Sequence, residues 1–209
     1  MSYLHRLQNL ARKGPSAWLQ AVLARIPGQP IKTERFLRIQ LDGYPDFGNP
    51  SPSMGQIRLV GPEDIEALTG CVDKRALFLR RFALGEYCVA AFDGDRVVGY
   101  EWFSARPKHV EERYWYSFDI PSGALYCYDG FVAESHRNRG IWRAMIQAAI
   151  DIMKRENRHC LIAHVAYDNI AWADAHYRLG YRLISQFRYL EFFGKQFLTE
   201  IPSIRSNSV

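Results

Sequence analysis

From residue 56 onward, runs rich in β-branched and aromatic residues alternate with stretches in which apolar residues recur every three to four positions. Runs of the first kind predict strands, and the second spacing predicts helices. The predicted strands are 56–60, 87–92, 96–103, 125–132, 160–166 and one or two within 181–193, and the predicted helices are 62–67, 74–84, 140–156 and 170–179. An Asp-Gly turn between the second and third strands predicts a hairpin. The order indicates a mixed α/β domain.

The chain before this domain has a different texture. Its apolar residues up to position 26 recur at helical spacing on either side of a Gly-Pro break, which predicts two short amphipathic helices. A strand over 36–41 and a loop rich in Gly, Pro, Asn and Ser follow. We place the boundary at Gly55, so that residues 1–55 form a helical N-terminal extension and residues 56–209 form one domain.

The net charge of +5 is concentrated in the extension. Residues 1–38 hold seven basic residues and one acidic residue, whereas the rest of the chain holds 20 basic and 21 acidic residues. The main domain therefore lacks the basic excess that nucleic-acid binding requires. Two interpretations of the extension stay open: peripheral contact of residues 1–38 with an anionic membrane surface, or packing onto the sheet or a second subunit in a homodimer.

Cysteine usage and hydropathy suggest the compartment. The four cysteines have no metal-binding spacing and stand mostly in apolar runs, so we expect buried free thiols in a reducing environment and no metal. No apolar run approaches the roughly 20 residues that span a bilayer. We expect a cytoplasmic location, with attachment to the inner membrane face as the alternative.

The segment 131–142, FVAESHRNRGIW, carries the most informative chemistry. It predicts a strand that passes through a basic, polar turn into a helix. Backbone N–H groups at a helix N-terminus bind anions such as pyrophosphate. Gly140 allows close approach of the backbone, and Arg137 and Arg139 add positive charge. The following helix buries Ile141 and the residues at every fourth position after it, so its apolar face is separate from the anion site.

With the later segments Asn169 and Arg178-Leu179-Gly180-Tyr181, this motif resembles the GNAT N-acetyltransferase superfamily. The resemblance implies a mixed central sheet with a splayed strand pair, flanked by helices, and acetyl-CoA or another acyl-CoA as co-substrate without a metal. It also implies that pantetheine aligns on Phe131 and Val132 and that the turn holds the pyrophosphate. The implied cofactor-binding residues are Phe131, Val132, Arg137, Asn138, Arg139, Gly140, Ile141, Trp142 and Asn169. Trp142 departs from the family, which has a small residue there.

The catalytic residues are less determined by the resemblance. Many family members have a Tyr four residues before the Gly of Leu-Gly-Phe that protonates the departing thiolate, and this position is His176 here, with Tyr177 as the alternative acid. Asp129 is a candidate general base, with Tyr128, Glu134 and Glu101 as other candidates. Alternation along the strand predicts Tyr126 and Tyr128 on one face and Cys127 and Asp129 on the other.

The implied reaction is direct transfer of an acetyl or other acyl group from acyl-CoA to an amine in a ternary complex, with a small molecule such as a sugar or polysaccharide precursor as acceptor. Two alternatives stay open. One is a non-catalytic acyl-CoA-binding module, and the other is an acyltransferase that uses acyl carrier protein.

Overall fold

The computed structural model describes residues 31–48, 55–112 and 116–202. The two predicted N-terminal helices lie outside these residues. In this part of the chain the strands are β1 Ile31–Asp42, β2 Gln56–Val60, β3 Tyr87–Asp93, β4 Arg96–Ser104, β5 Lys108–Glu111, β6 Tyr116–Asp119, β7 Ala124–Val132, β8 Cys160–Ala166, β9 Arg182–Phe192 and β10 Lys195–Pro202. The helices are α1 Ile65–Cys71, α2 Arg75–Ala83, α3 Ile141–Arg155 and α4 Ile170–Arg178.

The chain divides into two compact units. The larger unit comprises residues 39–164 and 174–183 and contains strands in the order β8-β7-β4-β3-β2. Its strands β2, β3, β4 and β7 pair antiparallel, and β7 pairs parallel with β8. Gly94, at a φ of 59°, makes the predicted tight turn between β3 and β4. The predicted mixed sheet flanked by helices is confirmed.

Helices cover both faces of this sheet. Successive side chains of β4 point in opposite directions and nearly all of them are buried, so both faces need a covering layer. On one face, Phe78 and Phe82 of α2 pack against Trp102 at ring distances of 5.4 and 4.9 Å. On the other face lies α3, whose residues Ile141, Met145, Ala149 and Met153 are all at most 2% exposed. This confirms the buried stripe predicted for α3.

The smaller unit contains, among the described residues, 31–38, 165–173 and 184–202. Its strands run in the order β10-β9-β1, and β9 and β10 form an antiparallel hairpin. Inward-facing Ser185, Phe187 and Tyr189 are buried, whereas the alternate positions of β9 are exposed or half-buried. This alternation of buried and exposed positions is the pattern of a strand with one buried face.

Several element boundaries differ from the sequence prediction. The strand predicted at 36–41 extends over Ile31–Asp42, and the last predicted strand region continues into a separate strand, β10. The β5–β6 pair was not predicted at all, because its short runs, KHVE and YSFD, mix polar and apolar residues without a long alternation. The boundary at Gly55 stays a prediction.

Two expectations about membrane and thiols can be compared with the described residues. Within them, no helix is long and apolar enough to cross a membrane. All four cysteines are free thiols, and Cys88, Cys127 and Cys160 are buried, as predicted, while Cys71 is half-buried.

Candidate functional site

A kink in β7 opens the sheet of the larger unit beside β8. The pairing of β7 with β8 runs from Ala124 to Cys127 and stops there, although β7 continues to Val132. On its other side, β7 stays paired with β4, but the register shifts around Glu101, where Asp129 and Gly130 oppose a single residue. This is a β-bulge, and Asp129 takes a left-handed φ of 48° within it. The predicted splayed strand pair is thus confirmed.

The turn after β7 leads directly into α3. A short 3-10 turn over Glu134–His136 is followed by Asn138 at a φ of 61° and Gly140 at a φ of 80°. Gly140 is the N-cap of α3, so no side chain caps the helix N-terminus. The amides of the first helical turn have no partner within the helix, and the helix dipole adds partial positive charge there. This local structure suits an anion, and binding of an anion by the segment 131–142, the anion-binding turn, stays a prediction.

Arg137 is tied to the end of β7. Its exposed guanidinium donates from Nε to the carbonyl oxygen of Val132 at 3.1 Å. The contact holds the positive charge beside the turn and fixes where the strand ends. Nearby, His136 bridges Ser135 and Asp93 at 2.9 and 3.2 Å, which attaches the turn to the β3–β4 hairpin.

A carboxyl group is buried directly behind the bulge. Glu101 is 2% exposed, and its Oε2 atom has no hydrogen-bond partner among the described residues. A Cβ atom at Gly130 would lie 2.0 Å from this oxygen, so a larger residue there requires the Glu101 side chain to move. Burial raises the pKa of Glu101 well above its ordinary value, the charge of Asp129 raises it further, and the Trp142 indole acts in the opposite sense. Burial therefore favours the neutral, protonated form of Glu101.

His176 lies on the same side of the sheet, at the end of α4. Its ring is 1% exposed and packs at 4.5 Å from the ring of Trp142 and 4.8 Å from that of Tyr181. Tyr177 is 41% exposed, since one residue further along a helix turns the side chain by about 100°. Burial, followed by the charge of Asp174, raises the pKa of Tyr177. The structure thus brings His176, but not Tyr177, against the last residue of the anion-binding turn.

Asn169 of the smaller unit has a clear local role. Its Oδ1 accepts a hydrogen bond from the amide of Trp172 at 3.3 Å, and its carbonyl accepts from Ala173. These contacts satisfy donors in the first turn of α4. The Asn of the sequence motif therefore starts the helix, and a direct contact with a cofactor stays a prediction.

Asp129 is held by cations on the opposite face of the sheet from Glu101. Its oxygens accept from Lys74 Nζ at 2.8 Å and from Arg81 Nη1 at 2.6 Å. Arg81 is 4% exposed and also binds Glu112 at 2.6 Å. Burial alone would lower the pKa of Arg81, but the charges and hydrogen bonds of Asp129 and Glu112 together outweigh it, so the pKa is raised. The general base predicted at Asp129 is thus a doubly ion-paired carboxylate.

Sequence reasoning did not identify Lys74 and Arg81 as partners of Asp129, or Glu112 as the second partner of Arg81. Lys74 and Arg81 lie in and beside α2, and Glu112 follows β5, a strand that was not predicted. No spacing in the sequence connects these segments to β7. The positive φ of Asp129 also brings its carboxylate to Arg81, whose guanidinium covers the Tyr128 ring at 4.8 Å, so the predicted placement of Asp129 and Tyr128 on opposite faces is broken by the bulge.

The aromatic residues around β7 form a packed cluster. Tyr126 and Tyr128 stack in parallel at 5.6 Å on one face, as predicted, and His109 of β5 packs at 4.7 and 4.4 Å from them. Burial, with the charges of Arg81 and Arg106, lowers the pKa of His109 to about 3. His109 is therefore a neutral core residue. Among the described residues, no cluster of His, Cys, Asp and Glu could hold a metal ion.

Comparison with solved structures identifies proteins of the same fold. A GNAT-family acetyltransferase from Novosphingobium aromaticivorans aligns with a TM-score of 0.57 and 15% identity over 84% of this chain and 69% of that chain. An aminoglycoside N-acetyltransferase in complex with CoA aligns with a TM-score of 0.50 and 18% identity over 60% of this chain and 90% of that one. A tandem GNAT protein from the clavulanic acid biosynthesis pathway aligns with a TM-score of 0.57 and 14% identity over 81% of this chain and 54% of that chain.

Two sequence comparisons gave different results. No curated protein sequence matches the chain. The model of the acetyltransferase (GNAT) family matches residues 61–181, which is more than half of the chain and includes the β7 bulge, the anion-binding turn and α4. On this match, together with the shared fold, the chain belongs to the GNAT family of acetyltransferases.

Proposed function

We propose that the protein is an N-acetyltransferase that transfers an acetyl or other acyl group from acyl-CoA to a small amine by direct attack in a ternary complex. The observation that carries the proposal is the continuity of the splayed end of β7 with an uncapped helix N-terminus. An extended strand edge and an anion site then follow one another within about ten residues. This arrangement suits a ligand that has amides at one end and a pyrophosphate at the other.

The donor would be held mainly by backbone. Phe131 and Val132, beyond the point where β8 leaves the ladder, have extended backbone for the pantetheine amides. The turn amides from Asn138 to Trp142 would donate to the pyrophosphate, and Arg137 and Arg139 would add positive charge. When bound, acyl-CoA supplies an activated thioester carbonyl. A backbone N–H near Val132 is the proposed donor to its oxygen.

We assign the proton donor for the departing thiolate to His176 rather than to Tyr177. His176 packs against Trp142, the last residue of the turn that would hold the donor, whereas Tyr177 is largely exposed. An imidazole within the site can deliver a proton without solvent entering.

Asp129 serves the reaction through the shape of the bulge. Any proton it received would compete with Lys74 and Arg81 for the same oxygens. The ion pairs instead hold the left-handed conformation that ends the β7–β8 pairing. We therefore propose a positioning role for Asp129.

Thiol release from acetyl-CoA across a panel of amines tests the reaction. We expect release that depends on the acceptor, whereas a non-catalytic binding module would bind acetyl-CoA without it. At saturating donor, His176→Gln should lower kcat by about 100-fold, and Tyr177→Phe should retain it. Calorimetric binding of acetyl-CoA to both variants is the control for damage to the fold. Equal, near-wild-type turnover of both variants removes the proton-donor assignment.

A further inference from the structure

The smaller unit contains a cavity that the proposed reaction does not explain. Its volume is about 560 Å³, within the range of roughly 300–1,000 Å³ typical of small-molecule sites. Residues from β1 and β9 line it, with Tyr167 and Asp168 from the segment after β8. Six of its eight lining residues lie outside the part matched by the family model. The cavity is therefore a feature of this chain beyond what the family match covers.

Four charged residues line this cavity, two of each sign. They are Glu34, Arg35, Asp168 and Arg188. The consecutive Glu34 and Arg35 of β1 point to opposite faces of the strand. In the smaller unit, as far as the structure describes it, the ion pairs are Lys32 with Glu191 and Arg38 with Glu200, and none of the four takes part. Opposite charges that share a cavity without neutralising each other can bind the two ends of a ligand with both charges.

Arg35 stacks on an aromatic residue that also lines the cavity. Its guanidinium lies over the ring of Tyr167 at 3.8 Å, and the amide of Tyr167 donates to the carbonyl of Arg35 at 2.8 Å. A stacked guanidinium keeps its planar edge available for an anion. Because the stacking restrains the Arg35 side chain, ligand binding costs less conformational entropy there.

We propose that this cavity binds a small phosphorylated amine. Arg35 and Arg188 would hold the phosphate, whose charge of about −1.5 to −2 two guanidinium groups match better than a single carboxylate would. Asp168 would hold the ammonium group. The inference does not depend on acyl transfer, since binding needs no acyl-CoA.

Isothermal titration calorimetry on the full chain without acyl-CoA tests the proposal. The probes are glucosamine 6-phosphate, glucosamine, which lacks the phosphate, and glucose 6-phosphate, which lacks the amine. We expect glucosamine 6-phosphate to bind at least about tenfold more tightly than either of the others, a difference of about 1.4 kcal/mol. Equal affinities for the three probes would overturn the proposal.

Charge-neutralising variants locate the binding. Arg188→Gln should weaken glucosamine 6-phosphate about tenfold and leave glucosamine unchanged, and Asp168→Asn should weaken the two amines and leave glucose 6-phosphate unchanged. Lys195→Gln is the matched control, because Lys195 is an exposed cation on the same hairpin outside the cavity. An effect of Arg188→Gln no greater than that of Lys195→Gln would place the ligand elsewhere and refute the site.

Discussion

The two regions that meet at the β7 bulge are built from different parts of the chain. The anion-binding turn is made of backbone from one continuous segment, 131–142, with glycine and asparagine in left-handed conformations. The network around Asp129 is made of side chains from α2 and from the end of β5, 48 to 55 residues away for the two cations. The turn is therefore determined by one local segment of the sequence. The network around Asp129, in contrast, depends on segments that come together only when the chain folds.

Among the substitutions considered, one at Arg81 should damage the network around Asp129 most. Arg81→Met removes a 4%-exposed cation that holds two carboxylates, and we expect a loss of about 3–5 kcal/mol in the free energy of unfolding. The neighbouring Arg80 also binds Glu112 but is 49% exposed, so Arg80→Met should cost at most about 1 kcal/mol. Urea denaturation of both variants measures the difference. Similar losses in the two variants would show that the network contributes little to the fold.

The fit between the two regions is tested at Gly130. Gly130→Ala places a Cβ atom 2.0 Å from Glu101 Oε2, and we expect a loss of about 2–3 kcal/mol in unfolding free energy. Adding Glu101→Ala removes the clash, so the double variant should lose less than the sum of the two single variants. Gly70→Ala, in α1 with open space around it, is the control and should be neutral or slightly stabilising. Strict additivity would show that the oxygen moves aside freely.

The regular elements were predictable because their patterns are local. The hairpin at Gly94, the buried stripe of α3 and the limits of β8 follow from alternation, turn chemistry and four-residue spacing, and the structure confirms them. The splay of β7 came from the resemblance to a family, since nothing in the composition of 125–132 states where pairing with β8 stops.

Side-chain partners were not predictable for a physical reason. Asp129 alternates with Tyr128 in an ideal strand, but the bulge rotates it toward Arg81, and one residue with positive φ is enough to change its partners. Likewise, the burial of Glu101 depends on α3 covering that face of β4. An isolated Glu within an apolar run, EWF after VVGY, shows the position to be unusual without revealing its neighbours.

A smaller effect concerns the protonation of Glu101. In the folded protein the pKa of Glu101 is raised above its ordinary value of 4.5. At a pH between these two pKa values, unfolding releases a proton. The free energy of unfolding therefore falls as pH rises toward the pKa of the folded state. Glu101→Gln retains the shape of the neutral acid without this proton. The stability of the variant relative to wild type should therefore increase by up to about 1.4 kcal/mol per pH unit. Urea denaturation at pH 5, 6 and 7 checks this, and a constant difference would mean that Glu101 is ionised in the fold.

The smallest expected effect lies in the backbone-built region, at Arg137. If backbone amides supply most of the anion binding, Arg137→Gln should raise the KM for acetyl-CoA only about five- to tenfold, which is about 1.0–1.4 kcal/mol, and leave kcat nearly unchanged. Arg155→Gln is the control, because Arg155 is an exposed arginine at the far end of the same helix. Initial rates of thiol release over a range of acetyl-CoA concentrations measure both constants. A KM for acetyl-CoA raised by 100-fold or more would mean that the turn depends on the Arg137 side chain. The contrast with the Asp129 network would then no longer hold.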